Sequence, residues 1–423
     1  ILDYAGPLQL AWRTLMGPDG PRFPHLSIMN LPGLSMILAV GLYPFVYLSV
    51  RVALERQSRH VLEASRTLGR GPWQTWWRVT LPLARPAMVA GLSLVLMETL
   101  NDYGAASYYN VRTFATGIFH AWNGFHDLTA AVRLAAWLMA IILLLLVLER
   151  WQRGQASVSE GPHWRPVARH QLRGSQAWLA TLACLAPLAL GFLIPAAQLL
   201  YWSWLTWHKT TDEGLWQAAG NSIMVATLAA VVVVLSAILA SYSARLYPSR
   251  WLRAISKLGL VGYAVPGAVI AIGVILPVTW LQAHGLAVAW SGALGVMLFA
   301  YVVRFLAVGF NPVEAGFKRL CGGVEEASRS LGAGPWRTLL RINLPLLRGP
   351  VLAAAILVFV EVMKELPLTL ILQPFNFATL AIKVYSLANA DLVAEAAPFA
   401  LLVMLVGLVP LITINHLMSS GRR

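Results

Sequence analysis

The chain alternates between long apolar stretches and shorter polar segments. Nine of the apolar stretches are close to the roughly 20 residues that an α-helix needs to cross a bilayer. Their approximate bounds are 33–53, 84–103, 130–149, 178–202, 221–243, 257–280, 290–309, 347–369 and 394–416. The pattern predicts an all-α integral membrane protein with nine spans in this chain.

One polar segment occurs twice, at a constant offset of 263 residues. The first copy runs from Glu63 to Pro82 and the second from Glu326 to Pro345, and 13 of their 20 positions are identical. A repeat of this length indicates two copies of one structural unit. In the first copy, helix formers precede glycines and a proline, which predicts a helix, a glycine turn and a second helix. We expect Pro82 to end that second helix or the one following it.

The repeated segment resembles the cytoplasmic loop of ABC importer permeases, the membrane subunits of binding-protein-dependent uptake systems. The signature of this family is Glu-Ala-Ala, three residues, Gly, nine residues, Ile, one residue and Leu-Pro. Ser65 and Ser328 replace the second Ala, and Val79 replaces Ile in the first copy. The resemblance implies that each loop docks into a groove on a cytoplasmic ATPase. The docking residues that it implies are Glu63, Ala64, Gly69, Leu81, Pro82, Glu326, Ala327, Gly332, Leu344 and Pro345.

Without the resemblance, each loop has a second interpretation as a basic amphipathic hairpin resting on lipid headgroups. Basic residues do collect around these loops, although charged residues make up only 12% of the chain and the net charge is +14. The loops, the segment 150–177 and the C-terminus are rich in arginine. The alternate segments have few basic residues: 104–129, 203–220, 281–289 and 370–393. By the positive-inside rule the arginine-rich segments are cytoplasmic, which accounts for the charge without nucleic acid.

The domain organisation follows from counting spans against the repeat. Three spans belong to the first copy of the unit and six to the second, so a complete first copy needs three more at its N-terminus. We therefore expect two fused six-span units. Residues 1–149 form the C-terminal part of the first, with a docking loop at 55–82. Residues 150–177 form a cytoplasmic linker, and residues 178–423 form the second unit, with a docking loop at 318–345.

Two permease units in one chain resemble the tandem-fused ferric iron permeases most closely. The stretches that carry this resemblance are 98–104, 111–118, 363–367 and 374–381. It implies that a periplasmic solute-binding protein delivers ferric iron, which the permease passes across the bacterial inner membrane with two copies of the ATPase. A permease for thiamine or another small solute is the first alternative. A secondary transporter with internal repeats is a second alternative, from a different class.

The sequence carries no sign of an ATP site or of catalysis. None of the five lysines follows a glycine, so there is no Gly-x-x-x-x-Gly-Lys phosphate loop. ATP hydrolysis is therefore expected from the partner ATPase, and this chain is expected to be a transport subunit without a cofactor. Cys184 and Cys321 lie far apart, and no thiol metal site or catalytic constellation is visible.

Two acidic pairs fall late in the spans that follow the repeated loops. Each pair has a four-residue spacing, which predicts that its two members share one helix face. Acids inside a membrane usually face a pathway or a partner, and carboxylates suit a hard cation. The alternative is that they mark helix ends at the headgroups. With Lys364 expected to neutralise one acid, the candidate pathway residues are Glu98, Asn101, Asp102, Glu361, Lys364 and Glu365.

Overall fold

The computed structural model describes most of the chain. The described residues are 12, 14–16, 28–55, 57, 59–153, 171–212, 214–247, 249, 262–285, 294–320 and 322–420. All regular secondary structure in these ranges is helical, and no strand occurs within them. The prediction of an all-α protein is therefore confirmed.

Seventeen principal helices follow one another along the described chain. Four π-helical turns widen this framework, inside α3 and α13, after α5, and between α7 and α8. The helices are α1 (Leu31–Glu55), α2 (Arg59–Thr67), α3 (Pro72–Asn101), α4 (Gly104–Tyr108), α5 (Phe114–Phe119), α6 (Leu128–Arg153), α7 (Ser175–Leu188), α8 (Ile194–Asp212), α9 (Leu215–Leu246), α10 (Gly267–Ala283), α11 (Leu294–Arg319), α12 (Gly322–Ser330), α13 (Pro335–Leu346), α14 (Arg348–Met363), α15 (Pro367–Leu372), α16 (Leu380–Asn389) and α17 (Val393–Ser420).

Six helical stretches are long and apolar enough to cross a membrane, counted within the described ranges. They are Leu31–Glu55, Pro72–Asn101, Leu128–Gln152, Ser175–Thr210, Leu215–Leu246 and Leu294–Arg319. A seventh is added if α13 and α14, which meet at a 79° bend, count as one span. The other two predicted spans coincide with shorter apolar helices, Gly267–Leu281 and Val393–Leu408. Each predicted span thus overlaps an apolar helix, while the count of nine stays a prediction.

The internal repeat extends beyond the 20 matched positions. At the offset of 263, α2 and α12 begin and end at equivalent residues, and α1 begins at the equivalent of the first residue of α11. The π-helical turns Trp76–Thr80 and Leu339–Asn343 are also equivalent, as are the first residues of α4 and α15. The repeat predicted from sequence is therefore a repeat of structure as well.

The expectation that Pro82 ends a helix is wrong. Pro82 lies in the first turn of the segment Leu81–Asn101, directly after the π-helical turn Trp76–Thr80, and the helix α3 continues through it. Pro345 occupies the same place in α13. Proline has no N–H and its ring needs room, and a widened π turn supplies that room where an ordinary α-helical turn would clash.

Contacts divide the chain into two compact units, one formed by 1–117 and 136–198 and the other by 118–135 and 199–423. In the first unit α1 packs along α3. The two backbones approach so closely at Gly91 that an added Cβ would lie 2.7 Å from the Cα of Val46. Small residues allow such close helix contacts in membranes. The boundaries predicted at residues 149 and 178 stay a prediction, because most of the linker lies outside the described residues.

The core of the second unit is formed by α9, α11 and α14. The buried face of α9 includes Ala226, Ala229 and Val233, which follow helical spacing. Gly309 of α11 lies against this face, since an added Cβ would be 2.9 Å from Cγ1 of Val233. The close packing of these three helices fixes the position of α9, whose last turn contacts the second repeated loop.

Candidate functional site

Each repeated loop folds as a hairpin of two helices around a glycine. The φ angles of Gly69 and Gly332 are +77° and +78°, in the left-handed region that glycine adopts readily. The second helix of each hairpin begins with a proline, Pro72 or Pro335. The predicted order of helix, glycine turn and helix is confirmed in both copies.

A buried pair of hydroxyl groups joins the two arms of each hairpin. Ser65 Oγ lies 3.0 Å from Thr75 Oγ1, and Ser328 Oγ lies 2.8 Å from Thr338 Oγ1. All four side chains are buried. Serine stands where the family signature has its second alanine, and it supplies a hydrogen bond that alanine cannot make. This bond links the first arm of each hairpin to the second.

The residues that the signature assigns to docking lie mainly on the exposed side of the hairpins. Eight of the ten are exposed, and the two leucines that precede the prolines are half-buried. The exposure is the same at each pair of equivalent positions. The ten residues are Glu63, Ala64, Gly69, Leu81, Pro82, Glu326, Ala327, Gly332, Leu344 and Pro345.

An apolar patch lies next to the glycine turn in both copies. The exposed fractions of Leu68 and Trp73 are 79% and 72%, and those of Leu331 and Trp336 are 87% and 64%. Large apolar side chains exposed at equivalent places make these patches candidate contact surfaces. These four residues were not among the predicted docking residues, although their identity in both copies was a signal that could have found them.

A polar clamp fastens the second loop to the last turn of α9. Arg245 Nε pairs with Glu325 Oε1 at 2.8 Å. The guanidinium also donates to the carbonyl oxygens of Phe317 and Leu320 at 2.6 and 3.2 Å. One arginine side chain therefore holds both the end of α11 and the start of the loop.

Two further contacts complete this clamp. Asn343 Nδ2 donates to Glu325 Oε1 at 3.2 Å, and the Tyr242 hydroxyl donates to the carbonyl oxygen of Pro335 at 2.8 Å. The clamp thus reaches both arms of the hairpin. Comparing the two sequence copies could not reveal it, because α9 has no counterpart in the first copy within this chain.

Helix ends separate the members of each acidic pair. The helix α3 ends one residue before Asp102, and α14 ends two residues before Glu365. Glu98 and Glu361 lie within those helices, so the prediction that each pair shares a helix face is wrong. A four-residue spacing specifies one face only where the helix continues through both residues.

The second acid of each pair instead caps the short helix that follows. Asp102 Oδ1 accepts the N–H of Ala105 at 3.2 Å, and Glu365 Oε1 accepts the N–H of Leu368 at 3.0 Å. A side-chain oxygen in this place satisfies one of the unpaired amides at a helix N-terminus. The two caps are equivalent under the 263-residue offset, so the repeat includes the joint between span and outer helix.

Both acids of the second pair are compensated by cations. Lys364 Nζ lies 3.0 Å from Glu361 Oε1, which agrees with the predicted neutralisation. Arg304 Nη2 lies 3.2 Å from Glu365 Oε2, and each of these two side chains is only 6% exposed. Gly267 leaves room for this buried pair, since an added Cβ would lie 2.5 Å from Glu365 Oε1.

The first pair lacks the buried arginine. The position equivalent to Arg304 is Gly41, and an added Cβ there would meet nothing within 4 Å. Asp102 Oδ2 is buried without a hydrogen-bond partner in the described part of the chain. Glu98 and Asn101 are half-buried at the end of α3. The two acidic pairs therefore share a backbone arrangement, but the first has no counterpart of Arg304 at the equivalent position.

No group of three or more His, Cys, Asp or Glu side chains is placed to hold a metal ion in the ranges that the structure describes. Cys184 is exposed there, and Cys321 lies outside those ranges. The described residues at these sites thus offer exposed apolar patches, ion pairs and helix caps.

Comparison with known proteins bears directly on both repeats. The profile of the family described as "Binding-protein-dependent transport system inner membrane component" matches residues 24–155 and 233–421. The two matches include the two repeated loops. They also include α3 and α14, which carry the acidic pairs.

Individual relatives include two ferric permeases from Haemophilus influenzae. Fe(3+)-transport system permease protein FbpB 2 is 29% identical over 381 residues, or 88% of this chain and 74% of the relative. Putative ferric transport system permease protein FbpB 1 is 24% identical over 366 residues, or 80% of this chain and 56% of the relative. The putative 2-aminoethylphosphonate transport system permease protein PhnV of Salmonella typhimurium is 25% identical over 202 residues, or 48% of this chain and 74% of the relative.

Among solved structures, a bacterial alginate ABC transporter in complex with an alginate-bound periplasmic protein is similar with a TM-score of 0.47. The sequence identity is 13%, and the similarity covers 57% of this chain and 93% of the alginate transporter chain.

Proposed function

Because the chain belongs to the family of binding-protein-dependent transport system inner membrane components, we propose that it imports ferric iron as the permease subunit of an ATP-driven transporter. Membership of the family supplies the class, which is a multi-pass permease of the inner membrane. One observation supports the substrate: the ferric permease FbpB 2 is 29% identical over 88% of this chain. The proposed direction is inward, from a periplasmic solute-binding protein to the cytoplasm.

The two repeated loops are the proposed docking sites for two copies of a cytoplasmic ABC ATPase. Leu68 and Leu331 offer equivalent apolar contacts beside the glycine turns. The hydroxyl pairs make each hairpin stiff, so movement of the ATPase is transmitted rather than absorbed. In the second loop, Arg245 passes that movement to α9 through the clamp on Glu325. In this arrangement the loops and the C-terminus are cytoplasmic, as their arginine content indicates.

The residues at the ends of α3 and α14 are the proposed lining of the pathway. Asp102 offers a buried carboxylate oxygen without a hydrogen-bond partner in the described chain, whereas Glu361 and Glu365 are held by cations. The variant that combines Glu98→Gln with Glu361→Gln tests this part, with expression and ATPase binding checked. Uptake at the wild-type rate in that variant would mean that both acids only mark the ends of helices and do not line the pathway.

A different small solute is the second candidate. The relative PhnV, named for 2-aminoethylphosphonate, supports it over 48% of this chain, and thiamine is a further solute of this class. A secondary transporter is less consistent with the chain, because such a protein has no use for two exposed hairpins with equivalent apolar patches.

Metal uptake in a deletion strain tests the proposed substrate. The full-length protein is expressed with its ATPase and solute-binding protein, and uptake of ⁵⁵Fe is compared with uptake of labelled thiamine and 2-aminoethylphosphonate. We expect energy-dependent accumulation of ⁵⁵Fe alone. Accumulation of either organic solute without ⁵⁵Fe would contradict the ferric assignment while leaving the class of transporter intact.

A further inference from the structure

A cavity of about 900 Å³ lies in the second unit, at the end of α9 that is far from the clamp. Gln217 and Asn221 of α9 line it. Arg245 follows Asn221 by 24 residues, which corresponds to about 36 Å along a helix. If the repeated loops are cytoplasmic, as proposed, the cavity opens toward the periplasm.

No carboxylate is among the described residues that line this cavity. Its polar side chains are five amides, a serine hydroxyl and one ammonium group, and apolar side chains that include aromatic rings form the rest of the wall. The amides and the ammonium belong to Asn123, Gln217, Asn221, Gln373, Asn376 and Lys383. The formal charge of the described lining is therefore positive, in contrast to the acidic ends of the spans.

Hydrogen bonds fix the wall formed by α9 and the segment that precedes α16. Asn221 Nδ2 donates to the carbonyl oxygen of Ala378 at 3.1 Å, and the N–H of Leu380 donates to Ser222 Oγ at 2.7 Å. Asn376 turns the chain with a φ of +59°. The cavity is thus bounded by a segment that is tied to a long, well-packed helix.

The size of the cavity does not suit a lone ion. A single water occupies about 30 Å³ in the liquid, whereas cavities of about 300–1,000 Å³ hold small organic molecules. A volume of about 900 Å³ therefore fits a molecule with many heavy atoms. An ion alone would leave most of the space to water.

The positive charge of the described lining does not suit a bare trivalent cation either. Hard cations take anionic or carbonyl oxygen ligands, and the ammonium of Lys383 repels a cation. At the end of α14, Glu361 and Glu365 are paired with Lys364 and Arg304. The described lining thus offers a cation amide oxygens but no carboxylate.

We propose that this cavity receives iron as an anionic, oxygen-rich ferric chelate, whose outer surface carries carboxylate or hydroxyl groups. Amide N–H groups and the Lys383 ammonium donate hydrogen bonds to such oxygens, and the bond from an ammonium is charge-assisted. The aromatic walls cover the apolar parts of the chelator. This inference rests on the proposed function, and it adds the form in which the cargo enters.

Equilibrium binding of doubly labelled ferric citrate tests the inference. The complex carries ⁵⁵Fe and ¹⁴C, and the protein is held in lipid nanodiscs without its ATPase or solute-binding protein. We expect both labels to bind in the ratio of the free complex. We expect Lys383→Gln to weaken binding about tenfold, because a charge-assisted hydrogen bond is lost.

Lys209→Gln is the matched control. Lys209 pairs with Glu395 at 3.0 Å and does not line the cavity, so we expect its loss to leave ferric citrate binding unchanged. Bound ⁵⁵Fe without ¹⁴C, or equal affinity in Lys383→Gln and wild type, would overturn the inference. A third outcome would also overturn it: the wild-type protein binds no ferric citrate, and Lys383→Gln weakens the contact with the solute-binding protein. The cavity would then be a protein-docking surface.

Cellular uptake separates this inference from the proposed function. If the deletion strain takes up ⁵⁵Fe but the protein in nanodiscs binds ⁵⁵Fe without ¹⁴C, only the inference about the chelate is contradicted. Uptake of a different solute without ⁵⁵Fe contradicts the ferric function, and the chelate inference with it.

Discussion

Single residues of the two loops show which parts of the signature are structural. Ser65 and Ser328 depart from its second alanine, and both bond a threonine of the opposite arm. Gly69 and Gly332 keep the signature and take nearly the same left-handed φ. The glycine is therefore required by the backbone of the turn, and the serine by the contact between the arms.

The first prediction concerns the glycine turn. Gly332→Ala should strain the turn by about 1–2 kcal/mol, because L-residues are disfavoured in the left-handed region. Nothing lies within 4 Å of the added Cβ, so the cost is that of the backbone alone. We expect lower ATPase retention and lower uptake, measured by co-purification and transport.

Gly334→Ala is the control for this prediction. Gly334 has an extended backbone with a φ of −69°, and its added Cβ also meets nothing within 4 Å. Alanine should therefore be tolerated there. Equal loss of ATPase retention in both variants would mean that the left-handed turn is not what the docking surface requires.

The second prediction concerns the clamp. Arg245→Ala removes the contacts to Glu325 and to two carbonyl oxygens, which should cost about 2–3 kcal/mol. The loop then moves without α9, so ATP hydrolysis should continue while solute transported per ATP falls. Both quantities are measured in proteoliposomes with the ATPase and the solute-binding protein.

An exposed ion pair provides the comparison for the clamp. Arg51 and Glu55 pair at 3.0 Å with side chains that are 53% and 58% exposed, and such pairs contribute only about 0–1 kcal/mol. Arg51→Ala should leave the ratio of transport to hydrolysis unchanged. If Arg245→Ala also leaves it unchanged, the clamp has no part in coupling.

The residue scale also shows where sequence reasoning ends. The repeat located the acids of both pairs, and the expectation that Lys364 neutralises one acid of the second pair agrees with its ion pair to Glu361. The prediction that each pair shares a helix face was wrong, because periodicity does not reveal that Asp102 and Glu365 cap the next helix. The partnership of Arg304 with Glu365 joins residues far apart in the chain, which one sequence cannot show.

At the scale of helices, the two copies differ in the span that follows the loop. The helix α3 runs unbroken, whereas α13 and α14 meet at a bend of 79° around Leu347. Gly316 of α11 faces this bend, and its added Cβ would lie 2.8 Å from Leu347 Cδ2 and from Pro350 Cγ. The equivalent of Gly316 in the first copy is Ala53, so the space for a bend is specific to the second copy.

The third prediction follows from that contact. Gly316→Ala should overpack the bend and destabilise the second unit by about 1–3 kcal/mol. Thermal unfolding of the purified protein should occur at a lower temperature than in wild type. Gly295→Ala, in the same helix but with nothing within 4 Å of its added Cβ, should unfold at the wild-type temperature or above it. Equal shifts in the two variants would show that the bend does not depend on Gly316.

The length of the apolar stretches predicted the existence of helices well, because burial and lipid contact both favour long apolar runs. It did not predict where the helices bend or contain π-helical turns. The π-helical turns before Pro82 and Pro345 let each helix continue through a residue that usually interrupts one. The bend at Leu347 depends on a glycine in another helix, and local sequence does not contain that information.

For the whole molecule, the distribution of arginine sets the proposed orientation. The fourth prediction is that the segment 150–177 is cytoplasmic and that its sequence is dispensable, because it is polar and joins two units. Protease sites inserted there should be cut from the cytoplasmic side only. Cleavage from the periplasmic side would overturn the proposed topology, including the cytoplasmic C-terminus and the periplasmic opening of the cavity.

The central claim is that the two hairpins bind an ATPase, and the apolar patches allow a direct measurement. Replacing both Leu68 and Leu331 with glutamate places charges where apolar contacts are proposed, and burial of an unpaired charge is costly. Both side chains are largely exposed, so the spans should still fold. The measurement is the amount of ATPase that co-purifies with the membrane protein. We predict that the double variant loses the ATPase and that each single variant retains part of it. Wild-type retention in the double variant would contradict the account and favour hairpins that rest on lipid headgroups.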